Sequence, residues 1–413
     1  MKDLLFLVHR IPFPPNKGDK IRSWHILEHL ASRYNVHIGA FIDDPHDWQY
    51  TGRMEGIAKS TFFQKLNGRT ATARSCRSLL LGEPLTCGYY RDRAMKNWVD
   101  RTVKQNPIER VFVYSSSMAQ YVLADLPADA RVVVDFVDID SDKWRQYADR
   151  KSWPMSAVYR REARTLFDVE KQIAGSVDAS AFVSEDEAAL FREMAPAEST
   201  HVHGIANGVD CEFFDPGVAS DAPYPTDRTN IVFTGAMDYW ANVDAATWFA
   251  DEILPKIRAT LADCQFWIVG ANPTSDIVKL DDRAGISVTG RVDDVRPFIA
   301  HATLSVAPLR VARGIQNKVL EAMALAKTVV ATPQAMEGIA AVDGAEVFVA
   351  ETAEAFADRV LALAASPELG PAGDRARQRV LESYGWLTSL QKFESILEGK
   401  PLDGKLDAVK GIS

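Results

Sequence analysis

The segment Leu304–Gly338, LSVAPLRVARGIQNKVLEAMALAKTVVATPQAMEG, carries the residues best suited to chemistry. A strand, Leu304–Ala307, ends at Pro308, and a loop with Arg310, Arg313 and Gly314 follows. A helix then begins near Asn317, with Lys318 in its first turn and Glu321 one turn in. Strand Thr328–Ala331 closes a β-loop-α-β unit. A helix start offers free N–H groups and a partial positive charge, which suit an anion. Arg313 and Lys318 add charge and Gly314 allows close backbone approach, so the segment reads as a diphosphate cradle. A carboxylate at Glu321 can accept hydrogen bonds from two vicinal ribose hydroxyls. The plainer reading, a solvent-facing glutamate on an amphipathic helix, fits poorly because this helix is otherwise nearly all apolar.

Two other groups carry reactive side chains. The loop Pro14–Arg22 follows the first strand; Gly18 would let the backbone approach a phosphate, with Lys20 and Arg22 near the next helix start. A simple Pro-Gly connection is the alternative. Asp135, Asp138 and Asp140 accompany the end of the strand Val132–Val137. Two oxygens two residues apart can bind a hard cation, but the same carboxylates also cap helices or hold an acceptor hydroxyl. The eight histidines show no metal-ligand spacing; His9 ends the first strand. No metal site is expected.

These residues need a scaffold. The chain has 413 residues, 47% hydrophobic and 25% charged, beyond the ~250–300 at which single cores stop growing. Short apolar runs alternate with helical patterns: Leu4–Val8, Val36–Phe41, Arg110–Tyr114, Val132–Val137 and Ala179–Val183, then a restart with Asn230–Thr234, Gln265–Val269, Ile286–Thr289, Leu304–Ala307, Thr328–Ala331 and Glu346–Val349. Such alternation gives parallel sheets covered by helices. Two doubly wound domains with a cleft at the strand ends are expected: 1–205, 206–399 with its last helix returning to the first domain, and a tail 400–413. The Pro-, Asp- and Gly-rich stretch 216–228 lies at or just after the junction.

Charge excludes some functions and suggests others. The net charge of −9 argues against nucleic acid as a partner. Residues 1–205 hold 28 Lys and Arg against 27 Asp and Glu, whereas residues 206–413 hold 19 against 29. Lys59, Lys65, Arg69, Arg74 and Arg77 interleave with Phe62, Phe63 and Leu66; Arg160, Arg161 and Arg164 form a second set. Both sets read either as solvated faces or as a surface meeting anionic lipid. Leu4–Val8 is too short for a signal peptide, and no run approaches the ~20 apolar residues of a membrane helix. Four scattered cysteines suggest reduced thiols in a cytoplasmic protein.

The motifs together resemble glycosyltransferase family 4, retaining enzymes of the two-domain GT-B fold. The likeness rests on Lys318-Val-Leu-Glu321-Ala-Met-Ala, Val329-Val-Ala-Thr332, Glu337-Gly338, Asn207-Gly208-Val209-Asp210 with Phe213 and Pro216, and Gly235 after its strand. The stretches Ile11–Arg22, Asp135–Trp144 and Ala312–Lys318 resemble a subgroup of sugar transferases associated with PEP-CTERM/exosortase exopolysaccharide systems. The resemblance implies a nucleotide-diphosphate-sugar donor bound through Gly18, Gly235, Arg291, Val292, Gly314, Asn317, Lys318 and Glu321. It implies catalytic roles for Asp138, Arg313 and Lys318, and an acceptor side at Lys20, Arg22, Asp135 and Asp140. No cofactor is required, and the implied acceptor is a lipid-linked or other saccharide near the anionic inner membrane. Two features depart from the family pattern. Arg313 stands where the first of two glutamates is usual, and Met237-Asp-Tyr-Trp-Ala-Asn242 replaces the usual Arg and Lys after Gly235.

Other classes fit less well. An NAD-dependent oxidoreductase needs Gly-x-Gly-x-x-Gly after strand one, where HRIPFPPNKGDK stands instead. A sugar-nucleotide epimerase of the same fold and a non-catalytic bilobed binding protein remain as alternatives.

Overall fold

The computed structural model describes residues 1–15, 17–123, 129–149, 151–218, 221–312 and 314–402. The chain divides into two units: Met1–Asn207 together with the chain's end from Ser389, and Gly208–Thr388. The stretch 216–228 falls inside the second unit, where Tyr224 is buried and stacks on Trp267 at 4.7 Å.

Unit 1 is a parallel sheet of β1 (Asp3–Val8), β2 (Asn35–Ile42), β3 (Ser60–Lys65), β4 (Ile108–Tyr114), β5 (Arg131–Val137), β6 (Ala179–Phe182) and β7 (Val202–Gly204). The spatial order is β3-β2-β1-β4-β5-β6-β7. Leu4 to Val8 are wholly buried, as a strand covered on both faces requires. The order reverses between β1 and β4, where Val8 lies beside Tyr114. At such a reversal neighbouring connections leave to opposite faces, and a crevice opens beyond the strand ends.

The helix after β1 spans Gly18–Ala31 and so already contains Lys20 and Arg22. It starts soon after Pro14 and Pro15, and Asp19 in its first turn complements the helix dipole. Lys20 and Arg22 therefore sit inside the helix and face inward.

The helix Met155–Ser176 organises the neighbouring helix starts with two buried glutamates. Glu162 accepts the N–H groups of Leu85 (2.6 Å) and Thr86 (2.9 Å), at the start of the helix Leu85–Tyr89. Glu170 accepts the N–H and hydroxyl of Ser141, at the start of the helix Asp140–Asp149. Each supplies an acceptor that an uncapped helix start lacks.

Unit 2 is a parallel sheet of β8 (Asn230–Thr234), β9 (Gln265–Val269), β10 (Ile286–Gly290), β11 (Leu304–Ala307), β12 (Val329–Ala331) and β13 (Phe348–Val349). Its order, β10-β9-β8-β11-β12-β13, reverses between β8 and β11. The motif Asn207–Asp210 becomes a strut. Val209 donates its N–H to Tyr384 O (2.7 Å), and a side chain at Gly208 would lie 2.3 Å from the Trp386 backbone, so only glycine fits. Among the described residues no helix is long and apolar enough to cross a membrane.

Candidate functional site

The reversal in unit 2 gathers several of the expected donor residues. β8, β9 and β10 each end at a glycine with positive φ: Gly235, Gly270 and Gly290. A Cβ at Gly270 would lie 1.7 Å from Gly235 O, so the two strand ends touch through bare backbone. A Cβ at Gly235 would come within 2.7 Å of Asn242 Nδ2 and 3.1 Å of Lys318 Nζ. Gly235 and Lys318, distant in sequence, are thus brought together.

Lys318 opens the helix Asn317–Ala324, whose first turn no side chain caps. Its Nζ donates to Asn242 Oδ1 and lies over the Phe233 ring, 4.6 Å from the centroid. Asn242 is held in turn by its Nδ2, which donates to Ala236 O (2.9 Å). Burial pushes Lys318 down to about 8, only partly opposed by Glu321. Burial pushes Glu321 up to about 7, only partly opposed by Lys318. Both groups pay the desolvation cost of charge without full compensation, the condition that a charged or hydrogen-bonding ligand relieves.

The other expected donor residues are spread more widely. Gly314 has positive φ with open space around it. Arg291 is exposed beyond Gly290, two strands from Gly235, and Val292 packs half-buried on the core. Arg310 is engaged by Asp244 and lies over Trp248. Arg313 lies outside the described residues. Asn242 was not legible as a site residue; its one signal is an amide in the first turn of the mostly apolar helix Trp240–Trp248.

Unit 1 alters the acceptor-side expectation. Arg22 and Asp135 are fully buried and bind each other, Nε to Oδ2 at 2.7 Å and Nη2 to Oδ1 at 3.1 Å. Arg22 also donates to Asn207 Oδ1 (2.9 Å) and lies over Phe393. Burial opposes its charge, but Asp135 more than offsets this and raises Arg22 above its ordinary value; burial also raises the Asp135 carboxyl, which Arg22 opposes only in part. Lys20 is buried against Asp47 at 2.6 Å. These three expected ligand contacts are internal ties: the helix begins at Gly18 and turns Lys20 and Arg22 inward, where Arg22 takes up the Asp135 carboxylate of β5. Gly18 is its first residue, and a side chain there would meet nothing within 4 Å.

Asp138 and Asp140 share one cation. Lys143 Nζ lies 2.7 Å from Asp138 and 3.2 Å from Asp140. Burial opposes the charge of Lys143, but the two carboxylates outweigh it and hold the amine well above its usual range. Just before them, Val137 has φ 70°, a strained position for a β-branched residue. Its N–H donates to Asp135 Oδ1 (3.2 Å), and its carbonyl accepts from Val183 N. Among the described residues no three His, Cys, Asp or Glu side chains gather as a metal site.

The reversal in unit 1 also exposes a group the sequence hinted at only through His9. The ring stacks on Tyr114 (5.8 Å) and meets Tyr90 edge-on (5.7 Å), with Nε2 3.6 Å from Asp19. Burial would raise the Asp19 carboxyl, but His9 and Arg10 outweigh it and keep it well below its usual range. His9 Nδ1, Tyr114 OH and Ser116 Oγ are buried and make no hydrogen bond among the described residues. Buried polar atoms are normally paired, so three orphans beside the reversal mark this edge as a place for a polar ligand.

Two parallel α/β units with these reversals define the GT-B fold class. Residues 228–366 match the family model of glycosyl transferases group 1. No curated protein matches the chain. Sucrose-phosphate synthase from Thermosynechococcus elongatus superposes with a TM-score of 0.65 at 15% identity, covering 97% of this chain and 99% of that one. HepE of Anabaena, solved with UDP, gives 0.65 at 14% identity, covering 97% and 100%. WaaG, a glycosyltransferase involved in lipopolysaccharide biosynthesis, gives 0.60 at 15% identity, covering 96% and 100%. Likenesses at this identity establish the fold.

Proposed function

We propose that the protein is a retaining glycosyltransferase that moves a sugar from a nucleotide-diphosphate sugar to a saccharide acceptor. The observation that carries this reading is the convergence of Gly235, Asn242 and Lys318 at the start of the helix Asn317–Ala324. It lies within the stretch that matches glycosyl transferases group 1. Unit 2 holds the donor. Lys318 and the helix N–H groups meet the diphosphate as negative charge develops on it, the same electrostatic support that an oxyanion hole gives. Glu321 takes the ribose hydroxyls. Unit 1 presents the acceptor hydroxyl beside Asp138 and the His9 edge. The hydroxyl attacks from the face the diphosphate leaves, a diphosphate oxygen takes its proton, and the anomeric configuration is kept without a protein nucleophile. No metal or cofactor enters this scheme.

UDP-sugars are the first donors to test, because HepE of Anabaena is solved with UDP and with UDP-glucose. The finer setting is a hexosyl transfer in exopolysaccharide assembly, in the cytoplasm, onto a carrier-lipid-linked acceptor. The alternatives are an epimerase acting on the same donor and a non-catalytic sugar-nucleotide-binding protein. A thermal-shift screen of UDP-, GDP- and ADP-sugars tests the reading. A donor at 100 times its Kd stabilises the native state by about 2.7 kcal/mol. Glu321→Ala abolishes that shift while leaving the ligand-free melt nearly unchanged. An unchanged shift in Glu321→Ala removes Glu321 from the site, and an epimerised free sugar nucleotide as product selects the epimerase.

A further inference from the structure

The orphaned atoms at the unit 1 reversal constrain the ligand's chemistry. Tyr114 is wholly buried and Ser116 is 2% exposed at the end of β4, while His9, just after β1, is half-buried. Ser115, with φ 79°, turns the chain between Tyr114 and Ser116. Its hydroxyl pairs with that of Ser117 at 3.0 Å, so Ser117 is satisfied and Ser116 is not.

His9 Nε2 faces the Asp19 carboxylate at 3.6 Å and so carries the ring proton, which leaves Nδ1 as an acceptor. The orphans are therefore one acceptor and two hydroxyls that can each donate and accept. An ionised carboxylate or phosphate group accepts but has no proton to give Nδ1. A sugar hydroxyl does both. The parallel rings of His9 and Tyr114, with Tyr90 edge-on, bring apolar surface to the same edge.

Charge points the same way. Arg10 joins Asp19 (2.6 Å) to Asp43 (2.9 Å), Lys143 joins Asp138 to Asp140, and Arg22 is held by Asp135. These carboxylates outnumber the cations that meet them. Lys17, just before the helix Gly18–Ala31, is exposed and therefore screened. Burial raises the Tyr114 phenol, and Asp135, Asp19 and Asp138 raise it further against Arg22, so carboxylates lie within electrostatic reach of the orphaned hydroxyl.

We infer that the edge formed by His9, Tyr114 and Ser116 is a subsite for an uncharged sugar unit of the acceptor and rejects one that carries a carboxylate or phosphate. The inference rests on the reading that unit 1 presents the acceptor, and narrows that acceptor to a class. An anionic unit would add charge beside Asp19, Asp135 and Asp138, whose cations are already engaged.

The experiment is saturation-transfer NMR of the full chain with methyl hexopyranosides of gluco, galacto and manno configuration, each beside its uronate and its uronamide. At least one neutral glycoside binds. Its uronate binds at least ~tenfold more weakly, and the uronamide, similar in shape but uncharged, recovers the affinity. Tyr114→Phe and Ser116→Ala each weaken the neutral sugar about fivefold. Their ligand-free melts hold or rise, because each removes a buried hydroxyl without a partner; a hydroxyl that merely held the fold would lower them. No binding by any neutral glycoside, a uronate that binds as well and is weakened equally by Tyr114→Phe, or sugar binding unchanged in both variants overturns the inference. Thermal shifts with UDP-, GDP- and ADP-sugars are run on the same protein. Neutral-sugar binding without any donor shift overturns the transferase reading and leaves the subsite standing. A donor shift without discrimination against the uronate overturns the subsite and leaves the transferase reading.

Discussion

The two sheets reverse order in the same way, and the charges at their reversals are treated in opposite ways. In unit 1 the charged groups meet each other: Arg22 with Asp135, Lys20 with Asp47, Lys143 with Asp138 and Asp140. In unit 2 Lys318 donates to a neutral amide, Asn242 Oδ1; burial raises Glu321 as it also raises the paired Asp135, so the contrast lies in the partners and not in the direction of the shift. Internal pairing fixes a shape. Under-compensated charge beside bare glycine backbone favours a ligand that completes it. Chemistry-bearing residue types are therefore poor guides to a site until their partners are known.

The two edges should differ most in what a lost charge costs the fold. Asp135→Ala leaves a buried guanidinium uncompensated and costs about 3–5 kcal/mol, read as a lower urea midpoint. Lys318→Met, by contrast, removes a charge that burial already disfavours, so its midpoint stays within about 1 kcal/mol or rises. Equal losses in the two variants would erase the distinction between the edges.

Glycine substitutions should differ between the two edges as well. Gly270→Ala sets a methyl against Gly235 O at positive φ and costs at least about 1–3 kcal/mol. It also weakens donor binding, because Gly235 must move. Gly18→Ala meets open space on a helix and gains up to about 1 kcal/mol. A Gly270→Ala protein that melts like the wild type would show that the strand ends are not in contact.

Acidity separates the edges by a smaller factor. Donor binding needs Glu321 charged, which holds above about 7, and Lys318 charged, which holds below about 8. The raised Glu321 contributes stability at low pH that is lost as pH rises through about 7. The depressed Lys318 penalises the fold while charged, and that penalty lifts as pH rises above about 8. Donor affinity, followed by calorimetry, therefore peaks between these values and falls up to ~tenfold per pH unit on either side. Lys318→Arg removes the alkaline limb and Glu321→Gln the acid limb. A flat profile would mean that neither group faces the donor.

Much of unit 2 was legible, since Asn230–Thr234, Gln265–Val269 and Leu304–Ala307 are buried apolar runs with the expected bounds. β3 and β7 were not. β3 is an edge strand whose STFFQK mixes polar ends with two phenylalanines, and β7 has three residues. The grouping at the unit 2 edge was readable because Asn317, Lys318 and Glu321 follow one another along a single β-loop-α-β unit. The unit 1 edge was not, because Arg22 and Asp135 lie 113 residues apart and nothing local distinguishes a buried pair from two ligand-facing charges. The helix start decided their fate, and boundaries are read less securely than periodicity. His9 gave only its place after β1; the orphaned Nδ1 is a tertiary fact.

The smallest effect expected is none, and it concerns Asp138 and Asp140. Two carboxylates two residues apart have the spacing of a divalent-cation site, yet Lys143 Nζ already stands 2.7 and 3.2 Å from them. A metal ion would have to expel an ammonium that both carboxylates hold well above its usual range. It would also need further oxygens, since calcium takes about 6–8 and magnesium about six. Neither Mg²⁺ nor Mn²⁺ nor EDTA should therefore change the melting temperature or the donor affinity. Lys143→Ala supplies the contrast. It leaves the two carboxylates repelling each other, so the melt falls by the equivalent of about 1 kcal/mol, and added Mg²⁺ then restores part of it. If Mn²⁺ stabilises the wild type, or EDTA removes transfer and Mn²⁺ returns it, Lys143 is a placeholder for a metal, and unit 1 too presents incomplete charge to a ligand.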